Sequence, residues 1–328
     1  MIKIGQLGIG HNHGDGHMIG IRNYPEGFEL IGYAEPDEEW VKKRGSLECY
    51  QGVPRLGVEE LIEKCDAIVV ECDVWNLTKY AQMCVDRGCH VHIDKPASGT
   101  LAEFEHLMNT AREKGLVVHM GYMYRHNPAI KKAFEMVREG KLGEIYGLDL
   151  EMSTYHSKEY REWLGHFKGG SMYIFGSHLI DLAVLMLGEP KKVHSFIKQT
   201  GFEGVHTDDN CFALLEYDKA FAKITNSSVE VNGWGMRRFA VMGSLGTIEI
   251  KPIELDVEMY YSHVDFTDNA YKNIKKRIDV PDMPARDRYN DMMKEFHGLI
   301  TGEITDSGLY THDLAVQRTL MKAIGEKI

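Results

Sequence analysis

The chain has 328 residues, of which 43% are hydrophobic and 27% charged, and a formal net charge of −11. That balance describes an ordinary globular protein of two domains, and the acidic surplus argues against a nucleic-acid footprint or a cationic membrane surface. No apolar run has the length of a membrane span, and the six cysteines follow neither metal nor disulfide spacing, so they read as reduced structural thiols.

Met1 leads straight into the strand-like run Ile2–Leu7, so no signal peptide and a cytoplasmic location are expected. Further strands are expected at Phe28–Ala34, Ala67–Glu71, His90–Ile93 and Val117–Met120. Helical patterns lie between them at Met18–Asn23, Glu38–Arg44, Glu59–Lys64, Leu77–Arg87 and Leu101–Lys114. Gly88 and Gly115 sit where helix C-caps belong. This alternation predicts a doubly wound parallel sheet.

After Gly121 the texture changes. A helix is expected near Pro128–Glu139, then an alternating segment from Glu144 to His156, a loop of aromatics and charges, and an apolar helix at Ser177–Leu187. Strands then dominate: Val193–Thr200, Asp209–Tyr217, Ala220–Val231, Arg237–Met242, Thr247–Ile250 and Glu254–Tyr261. Short turns between them predict antiparallel pairing. Two helices close the chain, near Ala285–Ile300 and Thr311–Ile324. The fold class read from this pattern is α/β: a dinucleotide-binding domain over 1–121, and over 122–328 an α+β domain with a large, mostly antiparallel sheet, the last helices packing back toward the first domain.

The run Leu7-Gly8-Ile9-Gly10-His11-Asn12-His13-Gly14 carries a strand into a glycine loop. Gly8 suits the tight turn and Gly10 the close approach of a pyrophosphate, whereas the third fingerprint position is His13. The loop residues Ile9, His11, Asn12 and His13 are therefore cofactor candidates. Glu35 ends the second strand, where a carboxylate accepts hydrogen bonds from an adenine-ribose diol and repels an added phosphate, so NAD is favoured over NADP. His11, His13, Asp15 and His17 are metal-type ligands. Their spacing matches no standard zinc site, however, and two lie in the phosphate loop, so no metal is expected. Asp94 and Lys95 stand at the carboxyl end of a strand, where α/β sheets bind ligands, and a desolvated lysine there can exchange a proton. His178 and Asp181 share a face at the start of a helix, a plausible acid–base arrangement.

Taken in order, Leu7-Gly8-Ile9-Gly10, Ala34-Glu35-Pro36-Asp37, Asp94-Lys95-Pro96, Gly121–Pro128, Gly140–Ile145, Gly176-Ser177-His178-Leu179-Ile180-Asp181 and Gly243–Ile248 resemble the glucose–fructose oxidoreductase/inositol dehydrogenase (Gfo/Idh/MocA) family along essentially the whole chain. The resemblance implies a Rossmann domain, and a C-terminal sheet that builds homodimers or homotetramers. It also implies a dehydrogenase or reductase acting on a secondary alcohol of a sugar or polyol. By the same resemblance Lys95 touches the nicotinamide ribose and the substrate, and His178 serves in proton transfer; both are the expected catalytic residues. Cys72, Asp73, Trp75 and Arg125 are added to the cofactor set. Two departures stand out: Ile174 replaces the aspartate that often precedes the histidine, and Leu77 replaces a further histidine. Tyr155, His156, Tyr173 and Asp181 are the expected substrate contacts, while Tyr160 and Arg161 suit a surface or interface better. Two alternatives stand beside the dehydrogenase: a glycoside-cleaving enzyme using NAD through transient oxidation, and a non-catalytic NAD-binding sensor.

Overall fold

The computed structural model describes residues 1–266, 269, 271–272, 274–281, 287–305 and 308–328. In chain order its elements are β1 (Ile2–Leu7), α1 (Gly14–Arg22), β2 (Phe28–Ala34), α2 (Glu38–Arg44), α3 (Val58–Lys64), β3 (Ala67–Val70), α4 (Leu77–Asp86), β4 (His90–Ile93), α5 (Leu101–Glu113) and β5 (Val118–Met120). There follow α6 (Pro128–Arg138), β6 (Ile145–Glu151), α7 (Lys158–Leu164), α8 (Ser177–Leu187), β7 (Lys192–Lys198), β8 (Asn210–Glu216), β9 (Phe221–Ser227), α9 (Gly233–Met236), β10 (Arg238–Gly243), β11 (Gly246–Ile250), β12 (Met259–His263), β13 (Lys276–Ile278), α10 (Asp287–Thr301) and α11 (Leu309–Ala323). One compact unit takes Met1–Met123 and the described residues of 284–314; the other takes the described residues of 124–283 and Ala315–Ile328.

In the first unit the five strands run in the order β2-β1-β3-β4-β5, all parallel. The strand order reverses between β1 and β3, which makes the ends of those strands the ligand-binding crevice of a doubly wound sheet. All four residues of β3 are buried, as a strand covered by helices on both faces requires. Gly88 and Gly115 take positive φ after their helices, as their C-cap positions predict. The helix expected at Met18 begins at Gly14 instead. Its first turn carries two glycines and no apolar stripe, so propensity hides it; packing explains it. A Cβ on Gly16 would lie 2.5 Å from the Tyr289 ring, and one on Gly20 would lie 2.9 Å from the Tyr289 carbonyl, so the bare face of α1 seats α10.

In the second unit eight strands run in the order β13-β12-β11-β10-β6-β9-β8-β7, with every neighbouring pair antiparallel except β6 and β9. Leu148 and Leu150 of β6, Ala222 and Ile224 of β9 and Phe239 and Val241 of β10 form its buried face. The first three residues of α8, and most of its length, are buried. The loop expected before α8 contains α7, whose apolar residues are too few for a visible stripe. The strand expected at Glu254–Tyr261 begins only at Met259, because Leu255 and Asp256 adopt positive φ. The helix expected from Ala285 is described from Asp287, the preceding two positions lying outside the described residues. All six cysteines are free and buried. No described helix is long and apolar enough to cross a membrane.

Candidate functional site

At the end of β1 the chain turns on Gly8, which has φ +94° and donates its N–H to the Ala34 carbonyl at 2.7 Å. A Cβ there would lie 2.2 Å from the Cys72 backbone nitrogen, so only glycine allows the loops after β1 and β3 to touch. The Ile9 N–H donates to Glu35 Oε2 at 2.7 Å and the Asp37 N–H to Glu35 Oε1 at 2.9 Å. Burial raises the Glu35 pKa, partly offset by those two amides. The His11 N–H donates to the Glu71 carbonyl at 2.9 Å, which pins the loop to β3. Asn12 is exposed.

The loop fits a dinucleotide in its backbone: Gly8 makes the turn, Gly10 offers a bare Cα, and Glu35 is buried at the end of β2. A side chain absent from the sequence reading also stands here. The Trp40 indole lies against Gly10, where an added Cβ would come within 2.8 Å of Nε1, and that N–H donates to both Asp73 oxygens at 3.0 and 3.1 Å. A diphosphate approaching Gly10 therefore competes with the Trp40–Asp73 bond for the same face. Cys72 is buried, and its thiol is pushed well up by burial. Trp75 is 48% exposed.

Beneath the loop lies a buried set of histidines and acids. His13, in place of the third fingerprint glycine, points its Nδ1 to Asp94 Oδ2 at 2.8 Å. His11 Nδ1 lies 3.1 Å from the same oxygen and 3.5 Å from Glu71 Oε2. Asp94 also accepts the Lys95 N–H at 2.6 Å, and the Lys95 side chain is buried with it. On the other side of Glu71, His17 Nδ1 approaches Oε1 at 2.9 Å, off the direction of an aligned hydrogen bond. His17 Nε2 meets His92 Nε2 at 2.9 Å, His92 Nδ1 meets His119 Nδ1 at 2.9 Å, and His119 Nε2 reaches Glu295 at 3.2 Å.

Burial depresses the His11 pKa, but Asp94 and then Glu71 outweigh it and lift the group to about 9. For His13 burial wins over Asp94 and the pKa falls. For His17 burial is outweighed by Glu71, and the pKa rises. Burial would raise Asp94, yet His11 and His13 hold it well below the usual carboxylate range. Glu71, His92 and His119 escaped the sequence reading. The signal for the last two was their alternation with apolar residues on β4 and β5, where they are register partners.

In the second unit, α8 is entered through a wide π-helical turn at Met172–Gly176, and Ser177 Oγ donates to the Ile174 carbonyl at 3.1 Å. His178, on the first turn of α8, is 2% exposed and packs edge-to-face on Tyr124 at 4.9 Å. Asp181, one turn on, is held by Arg125: Nε donates to its two oxygens at 3.1 Å each and Nη2 to Oδ1 at 2.5 Å. The residues assigned from sequence to cofactor and to substrate are thus partners of each other. Ile174 is buried and apolar. His156 is stacked between Tyr160 at 4.3 Å and Phe175 at 5.0 Å; burial, then Arg237, depresses its pKa to about 4. Tyr173 is buried on Phe167, and its hydroxyl pKa is raised by burial. Tyr155 is 62% exposed. Arg161, expected at a surface, is 2% exposed and ion-paired with Glu203. Its guanidinium also donates to the Phe202 carbonyl at 3.2 Å, and its own carbonyl accepts from Thr207, so α7 is fastened to the 202–207 loop rather than offered to solvent.

Comparison with known proteins bears on both units. Residues 2–122 match the family model described as an oxidoreductase family with an NAD-binding Rossmann fold, and residues 130–249 match the GFO/IDH/MocA C-terminal domain. A scyllo-inositol 2-dehydrogenase (NADP(+)) of Bacillus subtilis is 26% identical over 46% of this chain and 42% of its own length. A D-glucoside 3-dehydrogenase of Escherichia coli is 26% identical over 45% of this chain and 43% of its own. The chain thus matches under half of either relative. A UDP-N-acetylglucosamine 3-dehydrogenase from Acidithiobacillus ferrooxidans shares the fold with a TM-score of 0.78 at 17% identity, over 98% of this chain and 96% of that one. An oxidoreductase from Thermotoga maritima does so at 0.80 and 17%, over 99% and 96%. With its parallel dinucleotide-type sheet, glycine loop and eight-stranded second sheet, the chain belongs to the Gfo/Idh/MocA oxidoreductase family.

Proposed function

We propose that the protein is a dehydrogenase or reductase that moves a hydride between a nicotinamide and a secondary alcohol carbon of a sugar, polyol or derivative, with NAD preferred over NADP. The observation that carries the reading is Glu35, a buried carboxylate at the end of β2 bonded to the Ile9 amide of the glycine loop. An acid at that place favours a free ribose diol and opposes a phosphate on it. The nicotinamide supplies the hydride chemistry when bound. Gly8, Ile9, Gly10, His11, Asn12, His13 and Asp73 would hold the dinucleotide, and Trp40 would have to leave Gly10 to admit it. Inositol, glucoside and sugar-nucleotide dehydrogenases among the relatives support a polyhydroxylated substrate.

In this reading Lys95 polarises the reacting oxygen and His178 takes or returns the hydroxyl proton. Ile174 can neither orient an imidazole nor accept a proton, so the edge-on contact with Tyr124 takes over the positioning of His178. Arg125 fixes Asp181 as a substrate-facing acceptor, and Tyr155, His156 and Tyr173 supply aromatic contact. Phe196, Phe221 and Tyr146 lie exposed on the eight-stranded sheet and support its use as a homo-oligomer face.

The test is a panel of inositols, glucosides and aldoses with NAD⁺ or NADP⁺, read by the near-ultraviolet absorbance of the reduced nicotinamide. Activity with at least one polyol or sugar, faster with NAD⁺ and lost in Lys95→Ala while NADH still binds, is expected. Near-normal turnover in Lys95→Ala would remove the lysine from the mechanism.

A further inference from the structure

Three strand ends of the first unit carry four ionisable side chains into one buried place. His11 and His13 follow β1, Glu71 follows β3 and Asp94 follows β4, and Asp94 and Glu71 are wholly buried. One donor atom from each of His11, His13 and Asp94 lies within 4.8 Å of the others. His13 Nδ1 at 2.8 Å and His11 Nδ1 at 3.1 Å approach the same Asp94 oxygen, so the three donors already converge on one point. Donors bound at about 2.0–2.2 Å in a tetrahedron stand about 3.3–3.6 Å apart, so seating an ion needs the two rings to draw back from Asp94 by only about 0.2–0.8 Å.

A second observation points the same way. Both oxygens of Glu71 are buried and neither accepts an aligned hydrogen bond, although Oε2 faces His11 Nδ1 at 3.5 Å. A buried carboxylate whose neighbours are poorly aligned costs several kcal/mol unless a full positive charge answers it. His11 Nδ1 lies between the two acids, 3.1 Å from Asp94 Oδ2 and 3.5 Å from Glu71 Oε2, where a ring proton or a bound cation would answer their charge. Two buried carboxylates converging on one ring nitrogen call for a positive charge between them.

We propose that His11, His13 and Asp94 form a binding site for one divalent transition metal ion of the zinc class, with Glu71 completing its charge balance. Two imidazoles and a carboxylate suit zinc, and three protein donors leave a coordination position open, as catalytic rather than structural zinc sites do. The histidines His17, His92 and His119 back the site through Glu71 and brace that carboxylate from behind. The expectation of no metal rested on the local spacing of His11, His13, Asp15 and His17. In the fold Asp15 leaves that group to pair with Arg44 at 3.3 Å, and Asp94 replaces it.

The experiment uses the full chain, stripped with a chelator, reloaded with Zn²⁺ or Co²⁺ and passed through gel filtration. One equivalent of zinc per chain by elemental analysis, and visible Co²⁺ bands of four-coordinate intensity, are expected. His13→Ala and Asp94→Asn should weaken binding by at least about tenfold, while the exposed His194→Ala leaves it unchanged. Circular dichroism checks that the variants fold, and the wild-type metal count decides the matter if they do not. Failure to retain stoichiometric metal, or retention undiminished in folded His13→Ala, would overturn the site and leave imidazolium protons as the countercharge. NADH titration of the same samples keeps this outcome separate from the dehydrogenase reading, since each can fail without the other.

Discussion

His17 and His92 meet nitrogen to nitrogen, with 2.9 Å between their Nε2 atoms, in the sealed interior of the parallel sheet. His92 spends its other ring nitrogen on His119. Each ring therefore depends on its neighbour for a partner that water cannot supply. Replacing His92 by leucine strands His17 Nε2 and His119 Nδ1 at once. A stranded buried polar group costs about 1–3 kcal/mol, so His92→Leu should lose roughly 2–5 kcal/mol in urea unfolding. An unchanged midpoint would show that the three rings are not coupled.

Gly8 and Gly88 have nearly the same backbone, φ +94° and +92°, but different surroundings. An added Cβ meets nothing within 4 Å at Gly88 and the Cys72 backbone at 2.2 Å at Gly8. Gly88→Ala should cost only the conformational penalty, about 1–2 kcal/mol. Gly8→Ala must also part the loops after β1 and β3, and should cost roughly 3 kcal/mol or more and abolish dinucleotide binding. Equal unfolding midpoints for the two variants would contradict the close packing at Gly8.

Arg125 and Asp181 share three hydrogen bonds with side chains 10% and 1% exposed. Removing one partner from a buried pair leaves a costly lone charge. Arg125→Ala should destabilise by about 3 kcal/mol, and Arg125→Lys should recover only part, because an ammonium cannot grip a carboxylate along two edges. Full recovery with lysine, measured by denaturant titration, would mean that charge alone matters there.

His156 gives stability a pH dependence with a definite sign. Its folded pKa is depressed to about 4 by burial and by Arg237, below the unfolded value near 6.5. The unfolded chain thus binds this proton more readily than the folded one. The contribution is full above about pH 6.5 and is lost as the pH falls toward about 4. Urea midpoints of the wild type should fall more steeply over that window than those of His156→Phe, which keeps the stack with Tyr160 and Phe175. Parallel slopes would show that His156 does not titrate differently on folding.

The parallel sheet was legible because buried strands alternate with amphipathic helices, and Gly88 and Gly115 punctuate them. The start of α1 was not, since Gly14 and Gly16 serve the packing of Tyr289 and carry no local helix signal. The glycine loop, Glu35 and Asp94-Lys95 could be found from strand ends alone. Glu71, His92 and His119 could not, because their meaning arises only when β1, β3, β4 and β5 lie side by side. Trp40 was missed for the same reason: its partner Asp73 belongs to another strand's loop.

Direct titration with NADH and NADPH, followed by tryptophan emission, tests the claim that the glycine loop and Glu35 hold an NAD-type dinucleotide. Saturation at one NADH per chain is expected, with NADPH weaker, the emission change lost in Trp40→Phe, and the preference for NADH lost in Glu35→Ala. Binding of neither nucleotide, or tighter binding of NADPH with Glu35 intact, would contradict it.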